Sequence, residues 1–592
     1  MLLSKSDFTA SADCLAKLYF KKHQFPSNLE NGFMASMARV GHMVGFLAKV
    51  VFPGGREISM AHGAEAAAQE TADWIASTES GILYEATFLV EGQMARVDVL
   101  RKRGSVLEVI EVKSSGYDST LIGTPAKEQV KKLEEKLVDL TFQTLLVERA
   151  QPEFFVEPAL CLLDRNAVNQ IEGLYGNFRV VESSDGGRFR SNEVFYDGDL
   201  EALRAQELLV LWPCKKEVSA WKVKVRELAA ARVQALKEVD NFEAFRSPRS
   251  MACAKCAFNM PTEPNERNGF AQCWGKDASV QPHIFDIRRD SWVSQLLNPH
   301  VEQGLSRLDQ VPLDLLQGKN GPRVYGMPLL QVQGVQEYWA PEGKDLLDSL
   351  DYPLYFIDFE AIRTAIPYHV GMSPYRSIVL FQWSCHRMAH RGAPLEHFAF
   401  LNTDPTMPNE RFVRALKEVL GSTGTVLTWS SYENTQLRNI LAELLDSGSL
   451  DHDLTAWLQS VLKEKDGGWR QVDLHDDVVK KFYYHRFMKN RTSIKVVLPA
   501  ILLEPQPQAN IDLLQAAGLY QETEDVGLLD PYKLLPGVHD GTEAMTAYDT
   551  MLYGAGATEP KIKEKLANEL LEYCKLDTLS MVVIFNYLKL KN

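Results

Sequence analysis

The sequence predicts an α/β protein with more than one domain, and three observations support this. The chain has 592 residues, which is more than one hydrophobic core usually organises. From about 82 to 113, three runs rich in β-branched residues are separated by turn sequences, which predicts three adjacent strands. Helical sequence follows over 125–150 and a further strand over 154–164, an order typical of α/β domains.

The same patterns divide the chain into three regions. Residues 1–275 hold the first α/β domain. Residues 276–350 combine short helical segments with a Gly- and Pro-rich stretch, and we expect a helical connector there. Residues 351–592 open with the apolar run PLYFIDFEAI, which suits a buried strand, and continue with strands near 377 and 425 and then helices.

Composition and charge narrow the class of protein. The formal net charge is −14 and the isoelectric point is about 5.5, which excludes a protein with general affinity for nucleic acid but allows local basic grooves. The N-terminus lacks the apolar core of a signal peptide, and no apolar run approaches the roughly 20 residues that span a bilayer. We therefore expect a cytoplasmic protein without a membrane segment, whose eight cysteines are reduced thiols or metal ligands.

Two acids and a lysine lie on the predicted strands near residue 100. Glu111 and Lys113 are two apart, so both side chains project from one face of a strand. Asp98 ends the preceding strand of a hairpin, which can bring its carboxylate beside Glu111. Adjacent carboxylates repel each other unless a cation lies between them, and a lysine nearby can activate water for phosphodiester hydrolysis. The alternative is an ordinary hairpin with an exposed Glu–Lys pair.

The pattern D-x(12)-E-V-K resembles the PD-(D/E)xK nucleases of the RecB-like branch. Glu85 lies one strand earlier, and a glutamine follows in the next helix, as in that family. The resemblance implies a restriction-endonuclease-like domain with metal-binding and catalytic roles for Asp98, Glu111, Lys113 and Gln143. The tyrosine that usually follows the glutamine by four residues is Val147 here. His42 matches the upstream histidine of the family or is a packed helix histidine.

Four cysteines frame this first domain, with Cys14 before it and Cys253, Cys256 and Cys273 after it. Thiolates are ligands of zinc and of iron–sulfur clusters. The arrangement resembles the iron–sulfur nucleases among CRISPR-associated, AddB-type and eukaryotic Okazaki-processing proteins, although the 16 residues between Cys256 and Cys273 make a wider gap. The resemblance implies a [4Fe–4S] cluster, with zinc or ordinary buried thiols as alternatives.

Acids in the C-terminal region form a second candidate site. Asp358 and Glu360 lie two apart on a buried strand, where carboxylates need a cation to neutralise them. Tyr573 and Asp577 lie one helical turn apart. The motifs D-x-E and Y-x-x-x-D resemble the DnaQ-like exonucleases of the ribonuclease-H fold. That resemblance implies a ribonuclease-H-like domain holding two divalent cations, with the tyrosine orienting the attacking water.

The sequence offers two candidates for the third acid of this site, and it contains a basic segment nearby in the chain. Glu433 in TWSSYENTQL is the candidate for the middle acid, and Asp473 is the second choice. The alternative is a helix N-cap cluster with an exposed helical aspartate. Residues 480–495 interleave cations with Phe and Tyr and contain no acid, which favours single-strand binding over a solvated basic helix. The cations are Lys480, Lys481, Arg486, Lys489, Arg491 and Lys495.

These motifs predict a nuclease that uses Mg²⁺ or Mn²⁺. We expect an exonuclease acting on DNA that is single-stranded or has free ends, in DNA repair or antiviral defence, with a helicase or defence-system protein as partner because the chain has no P-loop. The order of segments resembles bacterial proteins with a C-terminal domain of unknown function. Two alternatives stay open: a ribonuclease acting through the C-terminal domain, and a nucleic-acid-binding scaffold with one inactive nuclease fold.

Overall fold

The computed structural model describes residues 1–28, 32–123, 127–182, 192–261, 263–288, 291–316, 326–446, 451–462, 470–523 and 527–591. It is a mixed α/β protein, so the predicted fold class is confirmed. The chain divides into two compact units: unit 1 is Met1–Arg249, Lys255–Ala278 and Arg363–Ile378, and unit 2 is Ser250–Ala254, Ser279–Ile362 and Val379–Asn592. The finer division into two nuclease-like domains and a connector stays a prediction.

Unit 1 is built on a mixed seven-stranded sheet. Its strands are β1 (Leu3–Ser4), β2 (Arg56–Glu57), β3 (Ser80–Val90), β4 (Gln93–Arg103), β5 (Val106–Tyr117), β6 (Phe155–Asp164) and β9 (Leu209–Pro213), while β7 (Phe178–Glu182) and β8 (Asn192–Tyr196) form a separate hairpin. The order is β2-β3-β4-β5-β6-β9, with β1 beside β4. Strands β3, β4 and β5 are antiparallel, as expected for a meander, and β6 runs parallel to β5.

The helices of unit 1 cover both faces of this sheet. They are α1 (Lys5–Ser11), α2 (Ala16–Lys22), α3 (Gly32–Val51), α4 (Ala64–Ser77), α5 (Lys127–Lys132), α6 (Glu134–Ala150), α7 (Leu200–Arg204), α8 (Lys215–Ala235) and α9 (Gly269–Trp274). Val109 of β5 lies in a large core with residues of α4, α6 and α8, whereas Ile110 lies in a smaller core with residues of α3. The side-chain period of two therefore directs Glu111 to the face that α6 covers.

Unit 2 contains a mixed five-stranded sheet and, among its described residues, two short strand pairs. The strands are β10 (Glu337–Trp339), β11 (Leu354–Ile362), β12 (Val379–Met388), β13 (Leu395–Leu401), β14 (Thr425–Thr428), β15 (Gln471–Asp473), β16 (Tyr483–His485), β17 (Glu522–Thr523) and β18 (Gly527–Leu528). The sheet order is β13-β12-β11-β14-β15, and the two short pairs are β10 with β16 and β17 with β18. Strand β11 is central, antiparallel to β12 and parallel to β14, and its burial explains the continuous apolar run.

The helices of unit 2 are α10 (Ser291–Glu302), α11 (Met327–Val332), α12 (Pro341–Asp348), α13 (Asn409–Leu420), α14 (Tyr432–Asp446), α15 (His452–Val461), α16 (Lys480–Phe482), α17 (Ile494–Ile501), α18 (Gln508–Ala516), α19 (Gly541–Tyr553) and α20 (Pro560–Leu590), with a π-helix at Leu474–Val479. Helix α20 packs against β11 and β12, and α17 and α19 pack against α20. Among the described residues, no helix is long and apolar enough to cross a membrane. The Gly- and Pro-rich part of the predicted connector, 317–325, lies outside the described residues.

Candidate metal and catalytic sites

The acids, lysine and glutamine predicted in unit 1 lie together where β4, β5 and α6 meet. Asp98 accepts a hydrogen bond from the backbone N–H of Val112 at 2.8 Å. Lys113 Nζ lies 2.6 Å from Glu111 Oε1, and Gln143 Nε2 donates to Glu111 Oε2 at 2.6 Å. Glu111 is completely buried. The periodicities of strand and helix set the faces on which these side chains lie, and the packing of α6 on the sheet brings them together.

Two charged residues of this site have no part in the sequence prediction. Lys5 Nζ lies 3.0 and 3.2 Å from the two carboxylate oxygens of Glu111 and 3.7 Å from Asp98 Oδ1. Asp139 accepts from Lys113 Nζ at 2.8 Å. Asp139 precedes the glutamine of α6 by four residues, and this spacing could have revealed it. Lys5 is 106 residues from Glu111, and no local pattern connects the two.

The charges of these groups set their pKa values apart. Loss of water contact raises the pKa of Asp98 to about 7, and the negative charge of Glu111 adds to this. Burial also acts to raise the pKa of Glu111, but the positive charges of Lys5 and Lys113 outweigh burial and lower this pKa to about 2. The pKa of Lys113 is raised because burial is outweighed by the charges of Glu111 and Asp139. Lys113 therefore stays protonated at neutral pH.

Asp98 lines a cleft of about 740 Å³ between α3 and the sheet. Glu85 also lines it and has a positive φ of 58°, where the pairing of β3 with β4 skips one residue. The register of the two strands is the same on either side of Glu85, and the Glu85 carboxylate lies 3.2 Å from Arg96. His42, from α3, and the exposed ring of Phe195 line the same cleft. Burial lowers the pKa of His42, which favours its neutral form.

Buried oxygens without partners lie beside these charges. Within the described part of the chain, Asp139 Oδ1 and Gln143 Oε1 are buried and have no hydrogen-bond partner. Such atoms are costly in a finished protein interior, because their interaction with water is lost and not replaced. Together with the paired carboxylates of Asp98 and Glu111, they fit a site that receives a cation with its water ligands.

Unit 2 brings three predicted acids into one cluster. Ligand oxygens of Asp358, Glu360 and Asp577 all lie within 4.8 Å of one another. Strand β11 projects Asp358 and Glu360 from one face, and α20, which packs on that strand, supplies Asp577. Glu360 and Asp577 are buried, and Asp358 is half-buried. Carboxylate oxygens at this spacing suit Mg²⁺ or Mn²⁺.

Burial and mutual repulsion raise the pKa values of this cluster. Removal from water and the charge of Asp577 raise the pKa of Glu360 to about 8. The pKa of Asp358 is raised well above its ordinary value by burial and by the three neighbouring acids. Burial also raises the pKa of Asp577, although Lys495 opposes this. Close acids of this kind ionise together only when a cation neutralises them.

Glu433 is the better of the two candidates for the middle acid. It is 2% exposed, its Oε2 lacks a hydrogen-bond partner among the described residues, and its charge contributes to the raised pKa of Asp358. Burial raises the pKa of Glu433 itself to about 8. Asp473 instead caps the π-helix by accepting from the backbone N–H groups of His475 and Asp476. Asp473 therefore has a capping role, and it also lies in a separate group with His475 and Asp476 whose ligand atoms are within 4.8 Å of one another.

A lysine and two tyrosines complete the surroundings of the cluster. Lys495 Nζ donates to Tyr573 Oη at 2.9 Å and to the carbonyl oxygen of His539 at 2.7 Å. The hydroxyl of Tyr532 donates to Asp577. The sequence predicted Tyr573 here, placed Lys495 in a phosphate-binding segment, and gave no sign of Tyr532.

The rest of the basic segment differs from its prediction. It forms α16, β16 and a short 3₁₀ helix, so the alternative of one solvated basic helix is wrong, while single-strand binding stays a prediction. Tyr483 and Tyr484 are buried, so the expectation that these rings stack on bases is wrong, whereas Phe487 is 50% exposed. The remaining cations are accessible on the surface, and several pair with acids or an amide: Lys480 with Asp476, Lys481 with Asp477, Lys489 with Asp286 and Arg486 with Gln336, while Arg491 is exposed.

Three of the four predicted cysteine ligands gather in unit 1. Cys14, Cys256 and Cys273 are partly buried and pack against a cluster of Ala16, Phe20 and Phe258. Their sulfurs do not all lie within 4.8 Å of one another, whereas zinc with bonds of about 2.3 Å would hold thiolates about 3.8 Å apart. Cys253 belongs to Ser250–Ala254, which groups with unit 2. The donor types fit a thiolate site, and the ligand set stays a prediction.

The comparisons with known proteins concern the C-terminal half. Residues 355–493 match the family model described as Domain of unknown function (DUF2779), a span of 139 of the 592 residues. The span includes Asp358, Glu360 and Glu433 and ends before Tyr573 and Asp577. This agrees with the expected resemblance to proteins with a domain of unknown function and carries no statement of activity. No curated protein and no solved structure matches the chain.

Proposed function

We propose that this chain is a metal-dependent nuclease that hydrolyses phosphodiester bonds of DNA. The observation that carries the proposal is the cluster of Asp358, Glu360 and Asp577, whose ligand oxygens lie within 4.8 Å of one another. The oxygens of these acids, with the unpartnered Oε2 of Glu433, would hold Mg²⁺ or Mn²⁺. When bound, such cations stabilise charge on a phosphate and make water a better nucleophile.

The neighbouring side chains have roles that follow from their contacts. Lys495 donates to the Tyr573 hydroxyl, and that hydroxyl also hydrogen-bonds Asp577, which places it at the acid cluster, where it would orient an attacking water. The same ammonium is a positive charge that can meet a phosphate oxygen. Tyr532 donates to one oxygen of Asp577, and Tyr573 also hydrogen-bonds this carboxylate, so the two tyrosines orient it. The central strand β11 in a mixed five-stranded sheet supports a ribonuclease-H-like interpretation of unit 2.

Unit 1 supports a second nuclease site of the PD-(D/E)xK type. Asp98 and Glu111 would hold the cation, and Gln143 orients Glu111. Lys113 is paired with Glu111 and Asp139, so its role would be that of a positive charge near the scissile phosphate. The cleft at Asp98 gives a substrate strand access to this site.

The other expectations belong to the same proposal. A [4Fe–4S] cluster at the predicted cysteines of unit 1, Cys14, Cys256 and Cys273, would stabilise the fold around α2 and α9. The surface cations of 480–495 and the ring of Phe487 would guide a single strand or a free end, consistent with exonuclease action in repair or antiviral defence. A helicase or another defence protein would supply the motor function.

The proposal is tested by cleavage of end-labelled single- and double-stranded DNA and RNA with Mg²⁺ or Mn²⁺, using protein purified without air. Wild type is compared with Lys113→Ala, Asp358→Asn and the double variant, and exposed Lys132→Ala and Asp512→Asn serve as controls. Loss of DNA cleavage in Asp358→Asn assigns the reaction to unit 2, and loss in Lys113→Ala assigns it to unit 1. Cleavage of RNA alone favours the ribonuclease alternative. Undiminished cleavage in the double variant would refute both sites, and binding without cleavage by wild type favours the scaffold.

A further inference from the structure

Lys5 occupies the position in unit 1 where a cation is expected. Its ammonium contacts both carboxylate oxygens of Glu111, at 3.0 and 3.2 Å, and lies 3.7 Å from Asp98 Oδ1. These are the two acids that carry the proposed metal site. An ammonium neutralises such a pair with one charge and without the directional requirements of a metal.

The backbone at Lys5 is anchored by its neighbours in the sequence. Leu3 is fully buried and pairs with Gln93, which places β1 beside β4. Ser4 caps α1 in a capping box with Asp7. Lys5 is thus held at the sheet by the fold, while its own side chain is 22% exposed and has four rotatable methylene bonds with which to move away.

The two lysines of the site differ in the ion-pair partners that they would keep if a cation bound to Asp98 and Glu111. Lys113 pairs with Glu111 at 2.6 Å and with Asp139 at 2.8 Å, so it keeps Asp139 as a partner. The ion pairs of Lys5 are with Asp98 and Glu111. A divalent cation between those two carboxylates would repel the Lys5 ammonium and take both of its partners. The asymmetry identifies Lys5 as the group that leaves.

The charges of the site support the same conclusion. With all groups ionised, three acids and two lysines leave a net charge of −1: Asp98, Glu111 and Asp139 against Lys5 and Lys113. Without Lys5 the net charge is −2, which matches a divalent cation. Cation binding in the presence of Lys5 must first separate its ammonium from Glu111.

We infer that Lys5 is a built-in competitor of the divalent cation, which neutralises Asp98 and Glu111 in the metal-free protein and is displaced when metal binds. The inference rests on the proposed function only in that the unit 1 acids bind a cation. It predicts that Lys5 stabilises the metal-free fold and weakens metal binding. A role as a permanent structural ion pair predicts that the Lys5 amine stays paired, and therefore no more reactive, when the cation binds.

The experiment measures Mn²⁺ affinity by calorimetry and the thermal midpoint in EDTA, in the full chain with Asp358→Asn to weaken binding at unit 2. We expect the Lys5→Met variant to bind Mn²⁺ about tenfold more tightly than the protein that keeps Lys5. In the variant, the charge-assisted pair of Lys5 with Glu111 no longer has to be broken before the cation binds. Its midpoint in EDTA should fall. Lys5→Arg should keep the weaker affinity, and Lys17→Met, which removes a surface lysine on α2, should change neither quantity.

The outcomes separate this inference from the proposed function. Equal or weaker affinity in Lys5→Met, with binding abolished by Asp98→Asn, overturns the competitor role and leaves the metal site intact. If no variant binds Mn²⁺ at unit 1, both the competitor role of Lys5 and the proposed metal site of unit 1 are overturned. If Lys5→Met and the shorter-reach control Lys5→Gln both fail to fold, amine labelling of the unaltered Lys5 decides. Its labelling rate should rise several-fold with Mn²⁺, and an unchanged rate overturns the inference.

Discussion

Replacement of Glu360 by glutamine should stabilise the metal-free protein at alkaline pH, although the residue is a proposed metal ligand. Burial and the charge of Asp577 raise the pKa of Glu360 from its ordinary 4.5 to about 8. Between these two values the unfolded chain has lost this proton while the folded protein keeps it, so stability falls as pH rises through the window. At about 1.4 kcal/mol per pH unit, the loss approaches roughly 5 kcal/mol at pH 8.

Thermal unfolding in EDTA at pH 5 and pH 8 measures this effect. Glu360→Gln cannot ionise, so at roughly 2–4 °C per kcal/mol it should unfold roughly 10–20 °C above wild type at pH 8, and close to wild type at pH 5. Glu418→Gln, on the exposed side of α13, should follow wild type at both values. Excess Mn²⁺ should raise the wild-type midpoint at pH 8 more than that of the variant. A variant less stable than wild type at pH 8 would refute the reasoning, because Glu360 would then be ionised and well neutralised without metal.

Three further predictions concern the remaining groups. In the Asp358→Asn background, Lys113→Ala should lower kcat for DNA cleavage by about 10²–10³-fold, as for loss of one charge that stabilises the transition state, and a change in KM alone would contradict that role. Lys495→Ala should reduce kcat for DNA cleavage by unit 2 by about 10²-fold. Lys481→Ala should only weaken DNA binding and reduce the slope of log affinity against log salt concentration by about one. Equal effects of the two substitutions would contradict the placement of Lys495 at the acid cluster. Cys14→Ser protein purified without air should contain less iron and sulfide than wild type, and equal metal content would exclude Cys14 as a ligand.

Local periodicity predicted those parts of the structure in which the interacting residues are neighbours in sequence. The apolar run of β11 and the alternation in β5 specified strands and the faces that carry Asp358, Glu360, Glu111 and Lys113. The pattern was not sufficient for β13, none of whose residues is fully buried, or for β15, which has three residues. Short or polar strands carry a weak periodic signal, and their pairing is decided by neighbours in the sheet.

The basic segment shows where composition alone misleads. Alternation of cations and rings suggested one solvent-facing surface, but the backbone changes from helix to strand at Tyr483. Tyr483 and Tyr484 therefore enter the interior, and Lys495, at the start of α17, points to the acid cluster. Sequence composition gives the residue types of a surface, whereas the direction of each side chain depends on the dihedral angles of the backbone.

The sequence by itself determined the α/β class, the strands that carry the paired acids and the one-turn spacing of Tyr573 and Asp577. Only the tertiary structure decided which charges share those sites. Lys5 contacts Glu111, which is 106 residues away in the sequence, and Lys495 contacts Tyr573, which is 78 residues away. Residues so far apart in sequence form no local pattern that could predict these contacts. The reason is physical: strand and helix periods fix directions over a few residues, while the charge balance of a buried site depends on every element packed around it.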